Sequence, residues 1–307
     1  MSSEGLKVSV IICTYKRLND LYICLKSLES QLIKPDEVII VDDGDTVETE
    51  KMLRNDTFKR LKHIKNKEKR GLPAARNVGV EHAQGDIICF IDDDVILPPT
   101  WLQEIITGYE DNKDAVGVGG YALNIKPRAP LGNTLKYRLL SAIRLVFFNK
   151  KVGKLSFLGI PYAVFNIMPD GYVKVDLLQG CNMSFKREVF NLHRFDELYE
   201  ESAVGEEQDF CTRLTKKNGK KLIYNPNAVV IHKCAQSGGC RVGDRFYWMV
   251  RNHIYYLLKN FNSKYLRVAL YSIFVMIYSI FTFKLIYLRA IKDGIKQYKQ
   301  FRGKHEK

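Results

Sequence analysis

The chain of 307 residues has no Cys-x-x-Cys pair, no excess of acid and no internal repeat. Its first residues, MSSEGLKVSV, hold no basic-then-apolar leader, so the catalytic part is expected in the cytoplasm. Seven cysteines, an odd number without metal-type spacing, read as small buried hydrophobes in a reducing compartment. At 46% hydrophobic and 27% charged residues, the composition excludes wholesale disorder, collagen and low-complexity fibres. The length suits one large domain or two small ones.

What is present is positive charge. The 48 Lys and Arg against 34 Asp and Glu leave +14, which points to an anionic partner. The charge sits in two zones. Residues 51–70 carry nine Lys/Arg against Asp56 and Glu68, and residues 264–307 carry ten against Asp293 and Glu306. Zoned charge on a nearly neutral body suits phosphate or a lipid surface better than an even nucleic-acid coat.

Val8–Cys13, Glu37–Val41 and Ile87–Ile91 are continuous apolar, largely β-branched runs that read as buried parallel strands. Between them lie a helix carrying Leu21, Leu25 and Leu28, capped by Asn19 or Asp20, and a helix opened by Gly71-Leu72-Pro73. The alternation predicts an α/β, doubly wound sheet. Residues 134–150 form a basic amphipathic segment, expected as a core helix with a solvated face or as a helix lying on a membrane. Residues 268–288 are apolar apart from Lys284, with basic flanks. They are expected to attach to a membrane, spanning it or lying in it, or to form a buried or oligomerising helix.

Asp92-Asp93-Asp94 directly follows the run Ile87–Ile91. Ligands in open parallel sheets bind beyond the carboxyl ends of strands. Adjacent carboxylates there repel one another, and a hard cation, Mg²⁺ or Mn²⁺, resolves the repulsion together with substrate phosphates. Asp42-Asp43-Gly44 ends the second strand in the same way and can accept from a nucleobase or ribose. Gly71 to Asn77 opens a helix whose N-terminus attracts phosphate; it carries neither a P-loop nor a GxGxxG fingerprint.

Four stretches, VSVIICTYKR (8–17), EVIIVDDGD (37–45), GLPAARNVGV (71–80) and GDIICFIDDDVILPP (85–99), resemble those of the family 2 glycosyltransferases. LLQGCNMSFKREVF (177–190) and GEEQDFCTRL (205–214) resemble the family's acceptor-side motifs. The resemblance covers roughly residues 7–240. It implies a GT-A fold: a Rossmann-like, mostly parallel central sheet flanked by helices, here with a C-terminal helical, membrane-associating extension. Residues 1–120 would be the nucleotide-sugar half, 121–245 the acceptor half, and 246–307 the extension. Carried over by position, Thr14 and Tyr15 line the base pocket, Asp43 bonds the nucleobase and Arg76 sits beside the diphosphate with Gly71. Asp92 holds the ribose side and ligates metal, Asp93 lies between, and Asp94 is the principal metal ligand. His232, at a β-branched strand end, completes the metal site. Gly180 and Asn182 shape the sugar and acceptor pocket. Glu207 stands where the family has Asp, which leaves the general base between Glu207 and Asp209.

The implied activity is inverting transfer from a nucleoside-diphosphate sugar, with UDP as default, to a glycan or polyprenyl-linked acceptor at the cytoplasmic face of the cell membrane. A homo-oligomer is compatible with the chain, and no nucleic acid is expected. Two other readings remain. A sugar nucleotidyltransferase would want a glycine-rich basic loop after the first strand, where this chain has Cys-Thr-Tyr-Lys-Arg. A nucleic-acid-binding protein would suit +14 with 17 Tyr and 16 Phe, but no RNP or zinc-knuckle motif accompanies them.

Overall fold

The computed structural model describes residues 5–44, 47–55, 58, 60–66, 70–124, 153–161, 168–199, 204–234, 245–282 and 284–305. The amphipathic segment 134–150 lies outside the described residues.

The first half alternates as expected. Strands β1 (Val8–Thr14), β2 (Glu37–Asp42), β3 (Leu61–Lys65) and β4 (Ile87–Asp92) pair in parallel, in the order β3-β2-β1-β4. Helices α1 (Leu18–Glu29), α2 (Val47–Asn55) and α3 (Leu72–His82) connect them. Helix α1 is not capped by Asn19 or Asp20: its N-cap is Arg17, whose side chain makes no cap bond and instead reaches Asp93. The runs VSVIIC and EVIIV are buried almost throughout, which is why they read as unbroken apolar strings. Strand β3 (LKHIK) is the basic, half-exposed edge of the sheet, where lysines discourage edge-to-edge pairing.

The second half is mixed. Strand β5 (Val95–Ile96), helix α4 (Trp101–Asp111) and strands β6 (Ala115–Asn124), β7 (Val173–Val175), β8 (Asn182–Lys186) and β9 (Lys221–His232) continue the order as β4-β8-β6-β9-β5, with β7 also on β9. Pairings β4–β8, β6–β8, β5–β9 and β7–β9 are antiparallel, and β6–β9 is parallel. Among the described residues the nine-stranded sheet is therefore parallel in its nucleotide half and mixed beyond β4, more so than the expected "mostly parallel" sheet. Strand β8 follows β7 in the chain and runs antiparallel to β4, with Ile91 opposite Asn182.

Two apolar layers sandwich the sheet. In the second, Phe90, Phe185, Phe190, Phe195 and Phe210 meet, with Phe195 and Phe210 stacked at 4.5 Å between ring centroids. Such pairs contribute about 0.5–1.5 kcal/mol beyond area burial. Their consequence is positional: Phe210 lies on α5 (Glu206–Thr212), so this cluster holds that helix against the sheet.

The C-terminal region comprises α6 (Arg245–Asn260), α7 (Lys264–Thr282) and α8 (Ile286–His305). These helices share a third apolar cluster with Tyr199 of the acceptor half. Polar contacts reinforce the joint: His253 Nε2 lies 2.8 Å from the Leu158 carbonyl, and Asn252 donates to the Val204 carbonyl. No helix among the described residues is long and apolar enough to cross a membrane.

Candidate active site

Strand β4 ends at Asp92, and the chain turns through Asp93 and Asp94 into the two-residue strand β5. Strand β5 pairs with the end of β9, placing Val95 opposite His232, and the Lys233 N–H donates to the Asp94 carbonyl at 3.0 Å. This register delivers an imidazole to the acidic turn. His232 Nε2 lies 3.2 Å from Asp94 Oδ1 and 3.7 Å from Asp92 Oδ2. Ligand atoms of all three residues lie within 4.8 Å of one another.

The three aspartates have separate tasks. Asp93 faces inward, accepting from Thr14 Oγ1 at 2.8 Å and Arg17 Nη1 at 2.7 Å. Burial pushes its carboxyl up to about 6 against the lowering pull of Arg17 and Thr14. Asp94 is buried, and Arg17 lies 3.5 Å from its other oxygen. Asp92 is the half-buried lip, with a side chain 31% accessible and Arg76 at 3.7 Å. Burial alone would lower the His232 pKa, but the hydrogen bond to Asp94 and the charges of Asp92 and Asp94 raise it. A proton on that ring offsets carboxylate repulsion that a divalent cation would otherwise offset. Two carboxylates and an imidazole are a donor set that fits Mn²⁺ or Mg²⁺.

Arg76 forms the floor of the site. It lies on α3, is only 3% exposed, and is ion-paired with Glu206 on α5. It also donates to the Gly180 carbonyl at 3.3 Å. A Cβ on Gly180 would approach Arg76 Nη2 to 2.9 Å, so glycine lets the guanidinium lie flat there. The face of Phe195 supports it from below, 5.5 Å away.

Helix α5 begins after Gly205, which adopts φ +91°, a left-handed conformation glycine tolerates. Its acids then diverge. Glu206 turns inward to Arg76. Glu207 is half-buried and feels both Arg76 and Asp92; burial raises its pKa while Arg76 lowers it, and the net shift is upward. Asp209 is fully buried on the other side of the helix. Its carboxylate accepts from Lys259 at 2.9 Å, Arg213 at 3.0 Å and Asn260 at 2.7 Å. Burial opposes its charge, but Lys259 and Arg213 hold its pKa well below the carboxylate range.

The remaining sequence candidates have these partners within the fold. Asp43 accepts from Asn66 and from the backbone N–H groups of Arg70 and Gly71, fixing the entry to α3. Gly71, at φ +83°, makes that turn. Asn182 receives the Trp101 indole N–H and donates to the carbonyls of Tyr121 and Ala228, so it ties β8 to its neighbours. Tyr15 is half-buried just beyond β1, with the Lys16 ammonium 5.5 Å from its ring centre. Sequence reasoning missed Arg17 and Glu206. Arg17 lay inside the quoted stretch CTYKR, and Glu206 beside the acid that drew attention.

The profile of glycosyl transferase family 2 matches residues 9–170. A glucosyl-dolichyl phosphate glucuronosyltransferase of Haloferax volcanii is 30% identical over 239 residues, 74% of this chain and 69% of that protein. The putative glycosyltransferase EpsH of Bacillus subtilis is 32% identical over 114 residues, where the match spans 36% of this chain and 32% of EpsH. Among solved structures, the mannosyltransferase PcManGT of Pyrobaculum calidifontis, in complex with GDP-Man and Mn²⁺, superposes with a TM-score of 0.56 at 16% identity. That match covers 99% of this chain and 89% of PcManGT. At that identity the likeness concerns the fold, which is GT-A. The chain is a glycosyltransferase and belongs to glycosyl transferase family 2.

Proposed function

We propose that this enzyme transfers a sugar from a nucleoside-diphosphate sugar, UDP by default, to a hydroxyl of a lipid-linked acceptor, with inversion at the anomeric carbon. The observation that carries this reading is the convergence of Asp92, Asp94 and His232 at the end of β4, with Arg76 and Glu207 beside them. Asp92, Asp94 and His232 would hold Mn²⁺ or Mg²⁺, which when bound neutralises charge on the departing diphosphate. Arg76, kept in place by Glu206 and Gly180, adds a fixed positive charge on the same side.

Glu207 acts as the general base. It takes the acceptor hydroxyl proton as that oxygen bonds to the anomeric carbon and the bond from that carbon to the diphosphate oxygen breaks. The electron pair leaves with the nucleoside diphosphate. Its raised pKa makes Glu207 a stronger base than an ordinary carboxylate. Asp209, held ionised by Lys259 and Arg213, supports the helix rather than the chemistry. The lipid-linked acceptor is supported by the name of the Haloferax relative. Such an enzyme works at the cytoplasmic face of the cell membrane.

The test is a panel of UDP-, GDP- and dTDP-sugars with Mn²⁺ or Mg²⁺, reading nucleoside diphosphate release. One donor should be consumed in a metal-dependent way. Glu207→Gln should cut transfer by at least about 10²-fold while donor binding persists. Release of pyrophosphate would favour a nucleotidyltransferase, and full transfer by Glu207→Gln would remove Glu207 as the base.

A further inference from the structure

Helix α7 carries no charged residue from Val268 onward. Its inner side, including Tyr271 and Val275, packs in the third apolar cluster with Val250 and Ile254 of α6. Its outer side is also apolar and is exposed: Leu266, Leu270, Ile273, Met276, Ile277 and Ile280 stand in solvent, Ile280 at 69%. Spacings of four, three, three, one and three residues put them on one arc of the helix. A helix apolar on both sides has a second apolar environment to bury its outer arc in.

The neighbouring helix indicates what that environment is. On α8, Tyr287, Ala290 and Gln297 face inward, and the opposite arc exposes Arg289, Lys292, Lys296, Lys299 and Arg302. Leu285 and Ile286, at the link between the helices, are exposed too. Both outward arcs are the sides turned away from α6. At about 1.5 Å per residue, the 19 residues of α7 are about 28 Å long. The arrangement, an apolar arc beside a row of cations, has the chemistry of a helix pair lying in the plane of an anionic bilayer. A second copy of the chain fits less well, because burying α7 against α7 would bring two basic α8 faces together.

We infer that α7 and α8 form an in-plane docking surface for an anionic lipid bilayer. The apolar arc of α7 enters the headgroup–acyl boundary, and the α8 cations meet lipid phosphate. This deepens the lipid-linked-acceptor reading and rests on it for purpose, while the surface itself stands on exposure and charge.

The experiment is flotation of the full chain with vesicles of neutral phosphatidylcholine, alone or with 30% phosphatidylglycerol (about one lipid in three). Binding should require the anionic lipid and weaken as salt is raised. Ile273→Ser with Ile277→Ser should weaken it at least tenfold. Lys296→Gln with Lys299→Gln should weaken it roughly fivefold per charge. Absence of vesicle binding, or binding by both double variants as tight as wild type, overturns the surface. A change from dimer to monomer in the Ile273→Ser, Ile277→Ser variant assigns the face to a second copy and also overturns it. Donor hydrolysis is measured alongside in solution. Its absence in the wild type would count against the proposed nucleotide-sugar donor without touching vesicle binding, and its retention in the variants shows that they fold.

Discussion

His232 Nε2 lies 3.2 Å from Asp94 Oδ1, although one residue ends β9 and the other follows β4. The contact exists because β5 pairs antiparallel with β9 and sets Val95 against His232. A two-residue strand thus closes the candidate metal-binding group.

Removing a ligand should therefore cost metal affinity rather than fold. His232→Gln and Asp94→Asn should each weaken Mn²⁺ binding at least about tenfold, since even the residues behind metal ligands cost that much. Calorimetric titration with Mn²⁺ checks this. Unchanged affinity in both variants would place the cation elsewhere.

Arg76 and Glu206 are a buried ion pair, 3% and 1% exposed at their side chains. Breaking one side of such a pair leaves a buried charge alone. Arg76→Met should lower unfolding free energy by about 3–5 kcal/mol. Adding Glu206→Gln should recover part of that loss, because no bare carboxylate remains. Urea denaturation of the two single variants and the double variant gives the coupling. Additive losses would mean that the pair does not act as a unit.

Lys259 bridges Asp196 and Asp209 and so joins α6 to the helix that presents Glu207. Lys259→Met removes the shared ammonium, leaving Asp209 with Arg213 and Asn260 and leaving Asp196 with the Tyr255 hydroxyl and the Leu198 N–H but no cation. A loss of about 3 kcal/mol or more is expected, with lower kcat at nearly unchanged donor KM. Restoration of rate by Lys259→Arg would support a positioning role. A variant as stable and active as wild type would deny it.

His253 sets an acid limit. Burial drives its pKa down to about 4, against the raising effect of its bond to the Leu158 carbonyl. A depressed histidine favours the neutral form in the folded state. Its contribution is complete above the ordinary value of about 6.5 and is lost as pH falls toward about 4. Thermal melts across that window should show Tm falling with pH. His253→Gln, which keeps a donor for Leu158, should flatten the slope. An unchanged slope would assign the acid sensitivity to carboxylates.

Much of the nucleotide half was legible because local physics determines it. Apolar β-branched runs dictated β1, β2 and β4, and turn residues at their ends marked Asp43 and Asp92 to Asp94 as strand-end acids. Gly71-Leu72-Pro73 marked the start of α3 for the same local reason. The acceptor half was less legible. Strands β5, β7 and β8 are short, and β8 finds β4 through long-range pairing that no periodicity reports.

The sequence alone determined which chemical groups are available: an acidic strand end, a nearby pair of glutamates, a histidine at a β-branched strand end, and two basic zones. Tertiary structure decided their tasks. It turned Asp93 inward to Thr14 and Arg17, moved Glu206 to Arg76, and withdrew Asp209 to Lys259, leaving Glu207 facing Asp92 and Arg76. It also folded the apolar stretch after Val268 as a helix with one side in the core and one side exposed. The reason is common to all of these. Residue type fixes charge, size and local backbone preference, whereas the partner that a carboxylate or an apolar face meets is set by strand register and helix packing between segments distant in the chain.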